Sequence, residues 1–244
     1  LANQIPKKLK PKFLDYKRDL DIFINDNLEF VYKKNLDNDL FELTYIFDFG
    51  KNNDPKISLA SSLMNYIGTK EFSPQELKKE FYKLGADYSF RTSDDGEETQ
   101  VTLVGLSENL EASIKLFESL FEISVAEKET LKNLVSRILK SRKDSKKNKN
   151  IILQRQLLYY SIYGELNPRN NILKTEELNN IKVEDLIKLI KNLPNYSHRI
   201  LFYGNQSKTT LSDLVSTYHK TPENFLKLEN NNLKSNIPRP TVKR

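Results

Sequence analysis

The amino-acid sequence predicts an α+β domain over residues 20–220, an antiparallel sheet covered on one face by several helices. Three observations carry this reading. Phe41, Leu43, Tyr45, Phe47 and Phe49 alternate with Glu42, Thr44, Ile46 and Asp48, the period of a strand with one covered face. Downstream the apolar period becomes helical, with Ala60, Leu63, Met64 and Ile67 spaced to share one stripe. The strands are separated by short turns, which suits antiparallel pairing and argues against a doubly wound α/β fold.

Taken in order, residues 1–19 are rich in Lys and Pro, show no period and read as a linker. Strands at 22–24 and 28–33 flank Asn25-Asp26-Asn27, a hairpin composition. The Phe41–Phe49 strand and the helix through Ile67 follow, the latter stopped by Gly68. Ser73, Pro74 and Glu76 form a capping box with proline at the first helical position, ahead of Leu77, Phe81 and Leu84, and Gly85 ends that helix. Strands return around Tyr88 and Phe90 and around Val101 and Leu103. The acidic turn at 94–98 between them lacks the alternating ligand spacing of a calcium loop and reads as a hairpin turn.

The second half is mostly helical. One stripe is Leu110, Ile114, Phe117 and Phe121; the next is Leu131, Leu134, Val135 and Ile138, opened by a second capping box at Ser124 and Glu127. A third helix runs through Leu153, Leu157 and Tyr160 to Gly164, and a fourth covers about 183–193, ending before Pro194. A strand at 198–203 and a helix at 210–218 complete the domain. Residues 221–244 are polar, Asn-rich and broken by Pro, a second linker or tail.

Of the 244 residues, 38% are hydrophobic and 30% charged, enough apolar surface for an ordinary core. There is no cysteine, so disulfides and thiolate zinc sites are excluded, and neither cytosol nor periplasm is selected. No apolar run approaches the ~20 residues of a membrane span, and no signal-peptide pattern is present. The chain starts at Leu1, which suggests an upstream segment. Its net charge of +6 is accounted for by one stretch, Arg137 to Lys149, where seven cations face only Asp144. That run lacks the interleaved aromatics or fold signature of a nucleic-acid surface and reads as a solvated helix end and loop.

Catalytic chemistry is not visible in the residues themselves. The only histidines, His198 and His219, lie in a strand and at a helix end without an i+4 partner, and no carboxylates are spaced to complete a zinc site. No nucleophile-elbow, Walker or dinucleotide glycine pattern occurs. Tyr159, Tyr160 and Tyr163 cluster with Arg155 and could contact a substrate; core packing with a bonded hydroxyl is the simpler reading.

Several segments taken together carry a resemblance. They are Tyr45-Ile46-Phe47-Asp48-Phe49-Gly50, then Leu59 to Thr69 (LASSLMNYIGT), Ser73 to Asp87, Leu106 to Leu120, and Tyr163-Gly164 after a long helix. In order and spacing they resemble the pitrilysin and insulin-degrading-enzyme family of zinc peptidases, the inverzincins, over about residues 22–220. The family's catalytic domains carry H-x-x-E-H on the helix framed here by Leu-Ala and Gly-Thr; its histidines bind zinc and its glutamate activates water. In this sequence the first histidine's position falls near Ser61, the glutamate's near Met64 and the second histidine's at Asn65. The third ligand, a glutamate, would fall near Ser136 to Ser141, and no acidic residue occurs between Glu129 and Asp144.

The resemblance therefore implies an inactive domain of the metallopeptidase-homology fold. Such a domain has no catalytic or metal-binding residues of its own, and zinc belongs to a catalytic domain of the parent protein. Its expected role is to help form the substrate chamber and to hold peptide, with Arg155 and Tyr163 as candidate contacts. The expected partners are other domains of the same peptidase, in a four-domain arrangement with this as the third, and peptide substrate; nucleic acid and a membrane span are not expected. The alternative is a non-catalytic assembly or peptide-binding subunit that pairs with a separate catalytic polypeptide. The family's bacterial relatives and the Lys- and Asn-rich composition favour a periplasmic or exported setting.

Overall fold

The computed structural model describes residues 13, 15–122 and 124–228. Of the expected terminal linkers, residues 1–12, 14 and 229–244 lie outside the described residues. Tyr16–Asp19 forms a single helical turn, α1, capped by the Asp15 carboxylate. Next, β1 (Asp21–Asn25) and β2 (Leu28–Lys34) form the expected hairpin. Asp26 occupies its turn at φ 53°, a left-handed conformation that a short polar side chain tolerates. β3 (Leu40–Phe47) buries Phe41, Leu43, Tyr45 and Phe47 as the alternation predicts.

The strand beside β2 in space comes from the far end of the chain. β8 (His198–Gly204) lies between β2 and β3, parallel to the first and antiparallel to the second. With β5 (Asp87–Thr92) and β6 (Thr99–Leu106) the sheet runs β1-β2-β8-β3-β6-β5. It is thus mostly antiparallel, with one parallel pair that the turns between neighbouring segments do not predict. The inserted strand earns its place by packing: Ile200 sits between Phe30 and Tyr45, and Phe202 between Tyr32 and Leu43, all buried. Fully burying one such side chain stabilises by about 1.5–3 kcal/mol.

Helices cover the inner face. α9 (Val183–Lys191) packs on both α2 (Lys56–Leu63) and α4 (Leu110–Glu122), with α2 against β5 and α4 against β6. α10 (Lys208–Tyr218) lies against α4. Ile57, Leu63, Ile114, Phe117, Leu186, Ile190 and Leu211 are completely buried among them. On the opposite face of the sheet Ile22, Ile24, Val104 and Tyr203 are exposed. α3 (Pro74–Lys83) has the predicted capping box, with the Ser73 hydroxyl accepting from Glu76 N–H and the Glu76 carboxylate accepting from Ser73 N–H. Ser73→Ala is expected to lower stability by about 1 kcal/mol in urea unfolding. Gly85 ends α3 at φ +60° as expected.

Three local expectations are corrected. The helix expected to run through Ile67 ends at Leu63; Met64–Tyr66 is a 3-10 turn and Gly68–Thr69 is a short strand, β4. The Tyr88 hydroxyl donates to the Met64 carbonyl at 3.2 Å, and Gly68 packs so closely that a Cβ there would lie 2.3 Å from the Phe72 carbonyl oxygen. Ser124 does not cap α5 (Lys128–Ser145), whose N-cap is Glu127 without a side-chain bond. Instead Ser124 and Val125 form β7 against β4, and the Ser124 hydroxyl donates to the Leu120 carbonyl at the end of α4.

The helix expected to end at Gly164 is present. It is built from α6 (Lys149–Ile151), a π-helical segment (Ile152–Leu157) and α7 (Leu158–Tyr163), and none of its residues is buried. The third correction is its tyrosine cluster, which does not belong to the core. Tyr160 is exposed, while Tyr159 and Tyr163 stack on each other at 5.8 Å and the Arg169 guanidinium lies 3.8 Å from the Tyr159 ring centre. A short helix that the pattern does not announce, α8 (Thr175–Asn180), buries Leu178. Beyond Lys220, Leu226 bridges to Tyr196, and Phe225 and Leu228 pack on the core, so packing continues past residue 220.

Candidate functional site

The positions that the resemblance assigns to a degenerate zinc site are scattered in character. Ser61 is buried on α2, and its hydroxyl has no hydrogen-bond partner among the described residues. Met64 is completely buried, its backbone held by Tyr88. Asn65 is exposed, with its amide directed at the Ser62 carbonyl at 3.4 Å. Because α2 stops at Leu63, Ser61 and Asn65 do not share the face of one continuous α-helix. On α5 the Ser136 hydroxyl bonds back to the Lys132 carbonyl. A hydroxyl, a thioether and an amide do not fit zinc, which takes thiolate, imidazole and carboxylate ligands. Ser136 also lines a groove of about 1000 Å³ between α5, α8 and α9, floored by Leu131, Val135 and Leu178. Arg155 is exposed and Tyr163 half-buried on the helix before Gly164.

What the structure does bring together is a set of residues that spacing could not connect. His198 begins β8, His219 follows α10, Glu118 lies on α4 and Tyr45 on β3; all four are buried. The Tyr45 hydroxyl donates to Glu118 Oε1 at 2.7 Å, and Glu118 Oε2 meets His219 Nδ1 at 2.9 Å. His219 Nε2 then meets His198 Nε2 at 2.9 Å, and His198 Nδ1 meets the Tyr196 carbonyl at 2.7 Å.

Proton positions in this chain follow from its ends. The Tyr196 carbonyl only accepts, so His198 Nδ1 carries a proton and donates. Burial, reinforced by the neighbouring His219, lowers the His198 pKa to about 3, so at neutral pH its Nε2 is bare and accepts from His219 Nε2–H. One proton remains to be shared between His219 Nδ1 and Glu118. Burial, together with the adjacent Glu118 carboxyl, raises the Tyr45 phenol well above 10, which keeps its O–H as a donor. Every bond is then satisfied, as low-dielectric burial demands. The His219 and Glu118 side chains are 0% and 7% exposed, so the network is closed to substrate and ties β3, β8, α4 and the end of α10 together. Its one sequence signal is Glu118 itself, a charge set within the Ile114–Phe117–Phe121 stripe.

No family model and no curated protein matches the sequence. Solved structures do match it. The peptidase M16 inactive domain from Pseudomonas fluorescens matches 86% of this chain and 53% of its own length, with a TM-score of 0.67 and 16% identity.

The chain has the fold of a peptidase M16 domain.

This is the pitrilysin-type α+β architecture that the resemblance implied. The periplasmic protease PqqL from Escherichia coli is similar over 94% of this chain and 27% of its own, with a TM-score of 0.68 and 15% identity. A protease from Helicobacter pylori is similar over 91% of this chain and 53% of its own, with a TM-score of 0.62 and 16% identity. This chain thus spans about half or about a quarter of the length of these M16-fold structures. No helix among the described residues is long and apolar enough to cross a membrane.

Proposed function

We propose that this chain is a non-catalytic domain of a multidomain pitrilysin-type zinc metallopeptidase. It walls part of the substrate chamber and holds peptide, with Arg155 and Tyr163 among its contacts, while a separate domain binds zinc and cuts. The domain spans residues 20–220, extended by the packed stretch to Leu228. One observation above the others supports this: on an M16 fold, the segment that the resemblance assigns to the zinc helix has Met64 sealed in the core and turns out of the α-helix at Leu63. The likeness to units of longer proteases supports partnership with other domains, and the periplasmic PqqL supports an exported setting.

Metal analysis and a cleavage assay test the reading. The purified chain is expected to carry no stoichiometric zinc and to leave an unfolded peptide intact. Stoichiometric zinc together with chelator-sensitive cleavage would overturn it.

A further inference from the structure

The helix running from α6 through α7 has no buried residue along its length. Ile152, Leu153, Leu157, Leu158, Tyr160 and Ile162 are all exposed, by 41–58%. Large apolar side chains gathered in one exposed patch mark a surface that is covered when the protein is at work. Allowing for the wider π-helical turn at Ile152–Leu157, these six side chains spread over more than half the helix circumference. Arg155 and Tyr163 fall in the remaining sector. A bilayer or a single extended peptide covers one side of a helix, whereas so wide a sector requires a groove.

Charge narrows the choice of occupant. The helix follows the end of α5, and Lys140 and Lys143 on α5, Lys146 and Lys147 in the turn and Lys149 on α6 are exposed. None of these five enters an ion pair among the described residues. A second copy of this chain, with its own net charge of +6, is a poor match for such a surface. The complementary surface is an apolar groove rimmed by carboxylates.

We infer that the 152–162 helix face and the adjacent lysines dock into an acidic-rimmed apolar groove on another unit of the same peptidase. This rests on the proposed function above, and the similar structures, two to four times the length of the matched region, have chain to supply such a unit. The apolar sector becomes the buried centre of the contact and the lysines its rim. Arg155 and Tyr163 stay outside it, free to face peptide.

Benzoylphenylalanine placed at Leu157 in the full-length protein is expected to cross-link to another unit of the peptidase, at a segment bearing Asp or Glu. Cross-links only to lipid, to peptide substrate or to a second copy of this chain, or no cross-link, would overturn the inference. Amide exchange across residues 152–162 is expected to be at least about tenfold slower in the full-length protein than in this chain alone. Lys143→Glu combined with Lys147→Glu is expected to remove most of that protection. Equal exchange in the two proteins removes the docking surface, and full protection in the double variant removes its acidic rim. Chelator-sensitive proteolysis by the full-length protein is scored separately: its absence sinks the peptidase reading, while the cross-link reports on the surface by itself.

Discussion

Glu118→Leu is expected to lower the unfolding free energy by about 3–5 kcal/mol, whereas Glu118→Gln is expected to stay within about 1 kcal/mol of the parent. The difference follows from the proton inventory of the buried network. Leucine fills a similar volume but leaves the Tyr45 hydroxyl and His219 Nδ1 without their bonds of 2.7 and 2.9 Å, both in a sealed interior. Glutamine keeps the shape and replaces both roles. Its carbonyl accepts from Tyr45, and its amide N–H donates to His219 Nδ1 where the shared proton stood, leaving the two histidines' own bonds untouched. Urea unfolding of the two variants at neutral pH measures this. A glutamine variant as weak as the leucine one would mean that the carboxylate charge, not the hydrogen-bond pattern, holds the network.

Acid is expected to destabilise the fold well before the ordinary carboxylate range, through His198. In the unfolded chain this imidazole takes up a proton below its ordinary pKa of about 6.5. In the folded protein it stays neutral down to about pH 3, because burial and the neighbouring His219 oppose a second proton. Between those values the unfolded state binds one more proton, so stability falls as pH falls, by about 1.4 kcal/mol per pH unit, and is unaffected by this group above about pH 6.5. By pH 3.5 the loss from this residue approaches about 4 kcal/mol, a large share of a typical domain's stability. Unfolding free energies measured from pH 7 to pH 4 test it. His198→Gln should reduce that slope by close to one proton, and an unchanged slope would show that His198 is not the group responsible.

How much of this was legible beforehand depends on the range of the interaction. The capping box at Ser73 and the glycine stop at Gly85 are local chemistry, and both stand as expected. So does the alternation along β3, which reports one covered face without naming what covers it. The same local logic misread Ser124, because its hydroxyl serves the helix before it and its backbone pairs with Thr69. It misread the helix after Met64, because the tertiary bond from Tyr88 and the close approach at Gly68 turn the chain aside. It placed the tyrosines at 159–163 in a core, because apolar period records an appetite for burial and not whether this domain satisfies it.

The sequence by itself determined the α+β class, most of the elements in their order and the resemblance to a pitrilysin-type domain. Each of these rests on periods and spacings within a few turns of chain. Only the tertiary structure decided that β8 enters between β2 and β3, and that His198, His219, Glu118 and Tyr45 share one buried network. Only it decided that the helix before Gly164 stands uncovered. The physical reason is common to all three. Burial and hydrogen bonding at low dielectric act between groups far apart in the chain, 101 residues for Glu118 and His219 and 174 for Tyr32 and Gln206, and no local period encodes that meeting.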